Sequence, residues 1–484
     1  MATLGVHTYE QATSVSTPNV AKVGIPFVVG TAPVHTAAKP AKANVPVLAT
    51  SWEEAVEKLG FSYNWKKYTL CEFMYSHFQL FDCQPVIFCN VLDPAEMKES
   101  VEPSAYLVTG RQAVLPLEAL AASLTVAVKG TGEDGSDAAL KAGEDYSVFY
   151  GRDDSDAYVC VLELLEDGAA YDAVSLTIGY DAVTPESVTV ADVAEGVGQV
   201  DAAMTAVGVV PDLICAPGWS HDTVVAAVMD TKAGAISGLF KGKALIDADC
   251  GTNGVREYSE LSGYKNKNSL VDEDQILCWP QVRLGKYQFH LSTQLAGLMA
   301  SVDAANRGVP YESPSNKNLK MDACVLEDGT EVNLTWPQVE LIAGDWGVVT
   351  AVNFLDSGWV AKGNYTACFP GNTDVKDQFI PVSRMFDYIG NTLIRTFWPK
   401  QDKPLTPPLR DSILRTCNIW LSGLCGSGYL YGARCELLAA ENPLAELLAG
   451  HITLHVYHAP PVPAQRIDFI LEYDVSYMET ALTA

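Results

Sequence analysis

Three short stretches gather residue types that could do chemistry. "APGWSHD" (Ala216 to Asp222) sets Ser220 beside His221 and Asp222, the trio of a nucleophile, its base and the group that orients the base. Adjacent residues cannot serve one another in this way, because the base must reach the nucleophile across space. A nucleophile elbow would also need G-x-S-x-G, and Asp222 stands where the second glycine belongs. The stretch reads instead as a strand-to-helix turn capped by Ser220 or Asp222. "GLFKGKA" (Gly238 to Ala244) has the Gly-Lys pair of a phosphate loop, but neither its glycine spacing nor the Ser/Thr that would hold magnesium. "DADCGTNG" (Asp247 to Gly254) places two carboxylates before a glycine turn, with no glutamate to close a calcium loop. On a strand His451 and His455 would share a face while His458 points the other way, so they make no metal cluster. The expectation is a protein with no catalytic residues, no cofactor and no metal.

The elements that hold these stretches alternate. "PDLICAPG" is a strand, "HDTVVAAVMDTKAGAI" a helix, "GKALIDAD" a strand, "QILCWPQVRL" another strand and "LSTQLAGLMASVDAANRG" a helix. In the last, Leu291, Leu295, Leu298, Met299 and Val302 form one apolar stripe. Alternating strand and helix predicts an α/β layer. Upstream, "IPFVVG" is a strand, and "SWEEAVEKLG" is a helix opened by Ser51 and Glu54 in capping-box spacing and stopped at Gly60. Leu70, Phe73, Met74, His77, Phe78 and Phe81 recur at helical spacing before the strand "PVIFCNVL". Between these halves, "SLTVAVKG", "YSVFYG", "AYVCVLELL", "AVSLTIGY" and "SVTVADV" read as strands between Gly- and Asp-rich turns. Two long helices, "VSRMFDYIGNTLIRTFWP" and "PPLRDSILRTCNIWLSGLCG", and a short one, "NPLAELLAG", lead to the end.

These textures divide the chain. Residues 1–20 read as an extended arm, 21–93 as the first part of a core, 94–200 as an outward-facing acidic all-β insertion, and 201–360 as the α/β core. Residues 361–465 read as a C-terminal domain and 466–484 as a terminal strand. The fold class is α+β and multidomain.

Charge and composition narrow the function. Lys+Arg of 32 against Asp+Glu of 59 gives a net charge of -27, which excludes the basic footprint that nucleic acid or an anionic membrane would need. Between Thr131 and Asp201 lie 17 acidic residues against two basic ones, Lys141 and Arg152, so that segment must be solvated. Charged residues are only 19% of the chain, against a typical value of about 25%, which fits a surface partly hidden in an assembly. The N-terminus has neither the basic nor the apolar region of a signal peptide. No stretch reaches the roughly 18 apolar residues of a membrane span. The 12 cysteines, none in Cys-x-x-Cys, read as reduced thiols of a cytosolic product.

The chain ends in "RIDFILEYDVSYMETALTA", where Ile467, Phe469, Leu471, Tyr473, Val475 and Tyr477 fall on alternate positions. Alternation makes this one long strand with an apolar face. An uncovered strand of this kind is an aggregation hazard. It either folds back into its own domain or is given to another chain.

Four stretches resemble the sheath proteins of contractile phage tails and phage-tail-like particles. They are "KVGIPFVVGTAPVHTAAKPAKANVPVLATSWEEAVEKLG", "LSTQLAGLMASVDAANRGVPYESPSN", "FIPVSRMFDYIGNTLIRTFWP" and "GHITLHVYHAPPVPAQRIDFILEYD". The family's "PPSG" is absent; "FHLSTQ" stands in its place. The resemblance covers roughly residues 35–95, 205–320 and 375–480, and leaves the β insertion unmatched. It implies an α/β sheath core plus a C-terminal α+β domain that exchanges terminal strands with neighbours. It further implies a subunit that polymerises in stacked, hexameric rings around an inner tube and contracts to drive that tube through a cell envelope. Its partners would be its own copies, the inner tail tube protein, and baseplate and tail terminator proteins, with no nucleic acid and no membrane insertion. It would be made in a bacterial cytoplasm and reside in a virion tail or a phage-tail-like particle. In this reading Val6, Tyr9 and Val15 belong to a donated N-terminal arm, and the six alternating residues to the C-terminal one. Charge alone suggests Arg384, Arg395, Arg410 and Arg415 as tube-facing. The rival readings are another tail or baseplate structural protein, and an α/β enzyme with a pocket near Ser220.

Overall fold

A computed structural model describes residues 17–129, 137–153, 155–355 and 358–483. Val6, Tyr9 and Val15 lie outside the described residues. The chain lays down three strands, β1 (Pro26–Gly30), β2 (Val47–Ala49) and β3 (Val86–Asn90), before it leaves for the β insertion. The insertion holds β4 (Lys98–Leu107), β5 (Gln112–Leu115), β6 (Thr125–Val128), β7 (Ala138–Ala139), β8 (Tyr146–Arg152), β9 (Tyr158–Leu164) and β10 (Ser175–Val183). The chain then returns to add β11 (Leu213–Cys215), β12 (Lys243–Asp247) and β13 (Gln275–Cys278). The six core strands lie in the order β13-β12-β11-β1-β3-β2, all parallel except β2 against β3. Phe27 of β1 is flanked by Ile214 on one side and Ile87 on the other. Strands such as "PFVVG" are buried along their whole length, as a parallel sheet covered by helices requires.

The expected core helices form. Ser51 caps Trp52–Leu59, its Oγ accepting the Glu54 N–H at 3.2 Å, and Gly60 ends it at φ 70°. The Glu54 carboxylate reaches one residue further back than a standard capping box, to the Thr50 N–H at 2.8 Å. The apolar stripe of Leu291–Ala305 is wholly buried.

Two readings of this region need correction. "SVTVADV" is not a strand. Thr189 caps the helix Val190–Gly198 through a reciprocal box with Asp192, whose carboxylate takes the Thr189 N–H at 2.8 Å. Val193, Val197 and Val200 join the main core. The insertion therefore runs from Lys98 to Val183, short of the expected 94–200, and residues 190–207 belong to the α/β core. "QILCWPQVRL" is two strands, because after β13 the chain passes Trp279-Pro280 into a second sheet of β14 (Gln281–Leu284), β15 (Tyr287–Phe289) and β16 (Ala323–Val325).

The insertion is two facing sheets, β4-β10-β6-β7 and β5-β9-β8, around a core that includes Leu115, Leu162, Leu164 and Ile178. Its first and last strands are partners, Lys98 opposite Val183. Further along the chain stand the hairpins β17 (Thr350–Asn353) with β18 (Trp359–Lys362) and β19 (Gly432–Glu436) with β20 (His455–Ala459). The second packs on Pro407–Gly426, and that helix and Ile380–Phe397 share a separate core of Met385, Tyr388, Ile389, Cys417, Leu421 and Leu424.

The terminal ribbon departs most from expectation. Residues 460–474 join no sheet, and Val475–Thr483 is helical. The reason is local. A strand needs a ladder partner for its N–H and C=O groups, and none is present for this segment among the described residues. A helix satisfies those groups from within.

One buried group has a consequence for stability. Thr69–Met74 runs on into a π-helical turn, Tyr75–Leu80, which places His77 inside the core, stacked on Phe73 at 5.1 Å. Neither ring nitrogen has a partner among the described residues. Burial lowers its pKa from 6.5 to about 3. The unfolded chain therefore binds a proton that the native one refuses, and stability contributed at neutral pH is lost as pH falls below 6.5. His77→Leu is expected to stabilise the chain at pH 7 by about 1–3 kcal/mol, the cost of unpaired buried polar atoms. It should also flatten the acid limb of the stability curve. Denaturant titrations of both proteins at pH 7 and pH 5 check this; an unchanged difference between the two pH values would refute it.

Candidate functional site

The two ends of the described chain are rooted close to, or in, the same domain. At the N-terminal end, the Asn19 and Ala21 N–H groups donate to the hydroxyls of Thr396 and Thr392, each at 3.0 Å, so the arm leaves along the helix Ile380–Phe397. At the other end, "APPVPAQ" is seated. Pro461, Val462 and Pro463 help to line a cleft of about 400 Å³ with Glu312, Lys317 and Lys362. Gln465 Oε1 accepts the Tyr365 hydroxyl at 2.7 Å, and the Tyr365 ring stacks on Phe369 and Phe379. Beyond Gln465 every described side chain is exposed. Ile467, Phe469, Leu471, Tyr473, Val475 and Tyr477 are all exposed, Leu471 at 94%.

The same C-terminal domain carries an open strand edge. The outer side of β19 is closed, because Asn418 accepts the Cys435 N–H at 2.8 Å and donates to the Cys435 carbonyl at 2.9 Å. β20 has no second neighbour among the described residues. The histidines near it act as separate partners rather than as a ligand set. His451 lies 2.9 Å from Glu446, His455 lies 2.8 Å from Glu441, and the His458 ring packs on Phe386 at 4.1 Å. Burial lowers His458 to about 4. No group of metal-ligating side chains is assembled among the described residues.

Of the four arginines picked by charge, Arg384 is a correction. It is 4% exposed and pairs with Asp303 at 2.5 Å and Asp212 at 2.9 Å, tying the Ile380–Phe397 helix to the α/β core. A guanidinium enclosed by two carboxylates cannot face a partner. Arg415 is exposed, Arg395 is half-buried, and Arg410 is half-buried and held by Asp411 at 2.8 Å.

A cleft of about 400 Å³ does lie beside "APGWSHD", at the carboxyl ends of β11 and β12. The three side chains that suggested a triad go three ways. Ser220 is buried and hydrogen-bonds Asp247 at 3.2 Å, His221 is exposed, and Asp222 caps Thr223–Gly234 by accepting the Val224 N–H at 2.8 Å. Asp247 is further held by the Ser292 hydroxyl at 2.5 Å and N–H at 2.9 Å. The floor holds a pair the sequence did not reveal, His290 Nδ1 at 2.9 Å from Glu72. Burial alone would lower His290, but the Glu72 charge and hydrogen bond outweigh it and raise the ring to about 9. The two residues are 218 positions apart, so no spacing could have shown them. Cys250, on the same wall, is pushed up to about 12 by burial, which favours its neutral thiol. No helix among the described residues is long and apolar enough to cross a membrane.

Comparison with known proteins gives one direction. No protein-family model matches the chain. The tail sheath protein of Burkholderia phage BcepMu is 26% identical over 500 residues, covering 98% of each chain. The sheath of an extracellular contractile injection system, PVC, in its contracted state, superposes at a TM-score of 0.56 and 13% identity, covering 99% of both chains. The sheath tail protein of Desulfitobacterium hafniense superposes at 0.51 and 12% identity, over 89% of this chain and 93% of that one. In sequence the chain is similar over nearly its whole length to a phage tail sheath protein, and in fold to contractile sheath proteins.

Proposed function

We propose that this chain is the structural, non-enzymatic subunit of a contractile sheath, linked to its neighbours by donated terminal strands. The observation that carries the reading is the pairing of an uncovered apolar arm with an open strand edge on one domain. An arm from one copy, added to β20 of another, is β-augmentation, with backbone bonds supplying affinity and alternate side chains supplying specificity. The short helix Val475–Thr483 melts into the strand on docking, a small cost for a nine-residue helix that is marginal on its own. Subunits stack in hexameric rings around an inner tube protein, bounded by baseplate and terminator proteins, within a virion tail or a phage-tail-like particle. Contraction exchanges one packing of the rings for another with more buried surface, and no nucleotide is consumed. The acidic insertion faces outward and keeps the tube soluble. Arg415 and Arg395 are the remaining candidates to face the inner tube.

Electron microscopy of the purified full chain tests this. Striated hollow tubes of variable length are expected. Single rings would instead indicate a baseplate-type structural protein, and single subunits at high concentration would remove the sheath reading.

A further inference from the structure

The strand order of the six-stranded sheet reverses at β1. From there the chain builds outward through β3 on one side and through β11, β12 and β13 on the other. Sheets of this kind hold ligands in the crevice that such a reversal opens beyond the carboxyl ends of the strands. The cleft beside "APGWSHD" lies at that place. Gly218 and Trp219, which line it, follow β11. Thr69, also in its wall, accepts the N–H of Thr31, the residue after β1, at 3.3 Å. Its volume of about 400 Å³ suits a small organic molecule.

Two kinds of unmet polar group border this space. The first are donors. Trp65 and Trp219 stand in the wall, and neither indole N–H has a partner among the described residues, although Trp65 is only 8% exposed. Covered donors of this kind call for an acceptor. His290 gives its Nδ1–H to Glu72 at 2.9 Å, and its Nε2 has no hydrogen bond among the described residues. The neighbouring Glu72 charge keeps that ring protonated at neutral pH, so Nε2 is a third donor. The second are carboxylates. A Cβ built on Gly251 would lie 2.9 Å from Glu327 Oε2 and 3.0 Å from Asp249 Oδ1, so these two side chains converge over one glycine. The nearest cation to them is Lys66, 3.9 Å from Glu327 and mostly in solvent. The remaining carboxylates of the wall are already engaged, Glu72 by His290 and Asp247 by Ser220 and Ser292.

We propose that this cleft binds a small zwitterion of the α-amino-acid type, its carboxylate taken by the indole N–H groups and His290 and its ammonium by Asp249 and Glu327. A lone anion would meet the two converging carboxylates, and a lone cation would leave the covered N–H groups unpaired; a zwitterion answers both. An apolar side chain on the ligand would rest on the tryptophan rings. What is proposed is binding, with no bond made or broken. The site lies within a single chain and does not depend on tube formation.

Calorimetric titration of the purified full chain tests this with four probes: L-leucine and L-phenylalanine, and isopentylamine and isocaproate, which each keep one charged end of leucine. At least one amino acid is expected to bind saturably and to raise the unfolding midpoint, with isopentylamine and isocaproate weaker by about tenfold or more. Asp249→Asn with Glu327→Gln should weaken the amino acid by about tenfold or more and leave the midpoint of the ligand-free protein unchanged. Trp219→Phe, which keeps a ring and removes the N–H, should weaken the amino acid and isocaproate but not isopentylamine. No binding of either amino acid at millimolar concentration, isopentylamine bound as tightly as the amino acid, or full affinity in the doubly substituted protein would overturn the proposal.

Discussion

A chain ending at Gln465 is expected to fold like the full protein and to form no tubes. Every described side chain among the residues removed is exposed, so none of these belongs to the subunit's own core. The root of the arm, Gln465 on Tyr365, is retained. Burying six apolar side chains on a neighbour contributes about 9–18 kcal/mol. About six ladder bonds add a net of roughly 1 kcal/mol each. Ordering about 12 residues costs roughly 12–24 kcal/mol. One arm is therefore nearly neutral, and only a lattice in which every subunit gives and receives can gain from it. The same arithmetic makes assembly sensitive to single changes. Phe469→Asp with Leu471→Asp should abolish tubes as deletion does, while the mobility of the free subunit and its denaturant midpoint stay as in the wild type. Tubes from the truncated chain, seen by microscopy and sedimentation, would refute the exchange of arms.

Arg384→Met is expected to cost about 3–5 kcal/mol of stability, because removing one partner of a buried ionic cluster leaves the others uncompensated. Asp303 is enclosed with Arg384, and Asp212 also receives the Ile25 N–H at 2.7 Å, so neither can turn to water. Burial already raises Asp303 to about 6 against the pull of Arg384. Without the arginine it rises further. A carboxyl whose native pKa exceeds its unfolded value lends stability at low pH and loses it as pH rises through the native pKa. The penalty of Arg384→Met should thus be greatest at pH 7 and shrink towards pH 4. Adding Asp303→Asn should recover part of it at pH 7. Guanidinium titrations of the three proteins at both pH values decide this, and a penalty independent of pH would contradict the account.

Much of the core was legible because its signals are local. "PFVVG", "PDLICAPG" and "GKALIDAD" are apolar runs of strand length, and the stripe from Leu291 to Val302 has one period only. Thr189–Asp192 was equally local but was passed over. Val188 and Val190, two positions apart, read as a strand, whereas Val190, Val193 and Val197 at helical spacing with a capping box in front decide for the helix. The assembly site divides in the same way. The alternation from Ile467 to Tyr477 is visible in the sequence, but in the single subunit residues 460–474 join no sheet and Val475–Thr483 is helical; on the proposed reading the strand forms only against another copy. Arg384 shows the reverse limit. Charge identified it, but the two aspartates that enclose it lie 81 and 172 residues away, and only the fold brings them together.

The pairing of Lys98 with Val183 makes the β insertion a plug with adjacent prongs. The chain enters and leaves it side by side, while both arms depart from elsewhere, so the links proposed between subunits would bypass it. A foreign domain whose ends lie as close could stand in that socket on every subunit, displayed along the whole length of a tube, provided it re-covers Phe61 and His35, which now pack against Tyr158 and Tyr150. On the proposed reading, the particle's outer coat and its motor would be separately exchangeable parts.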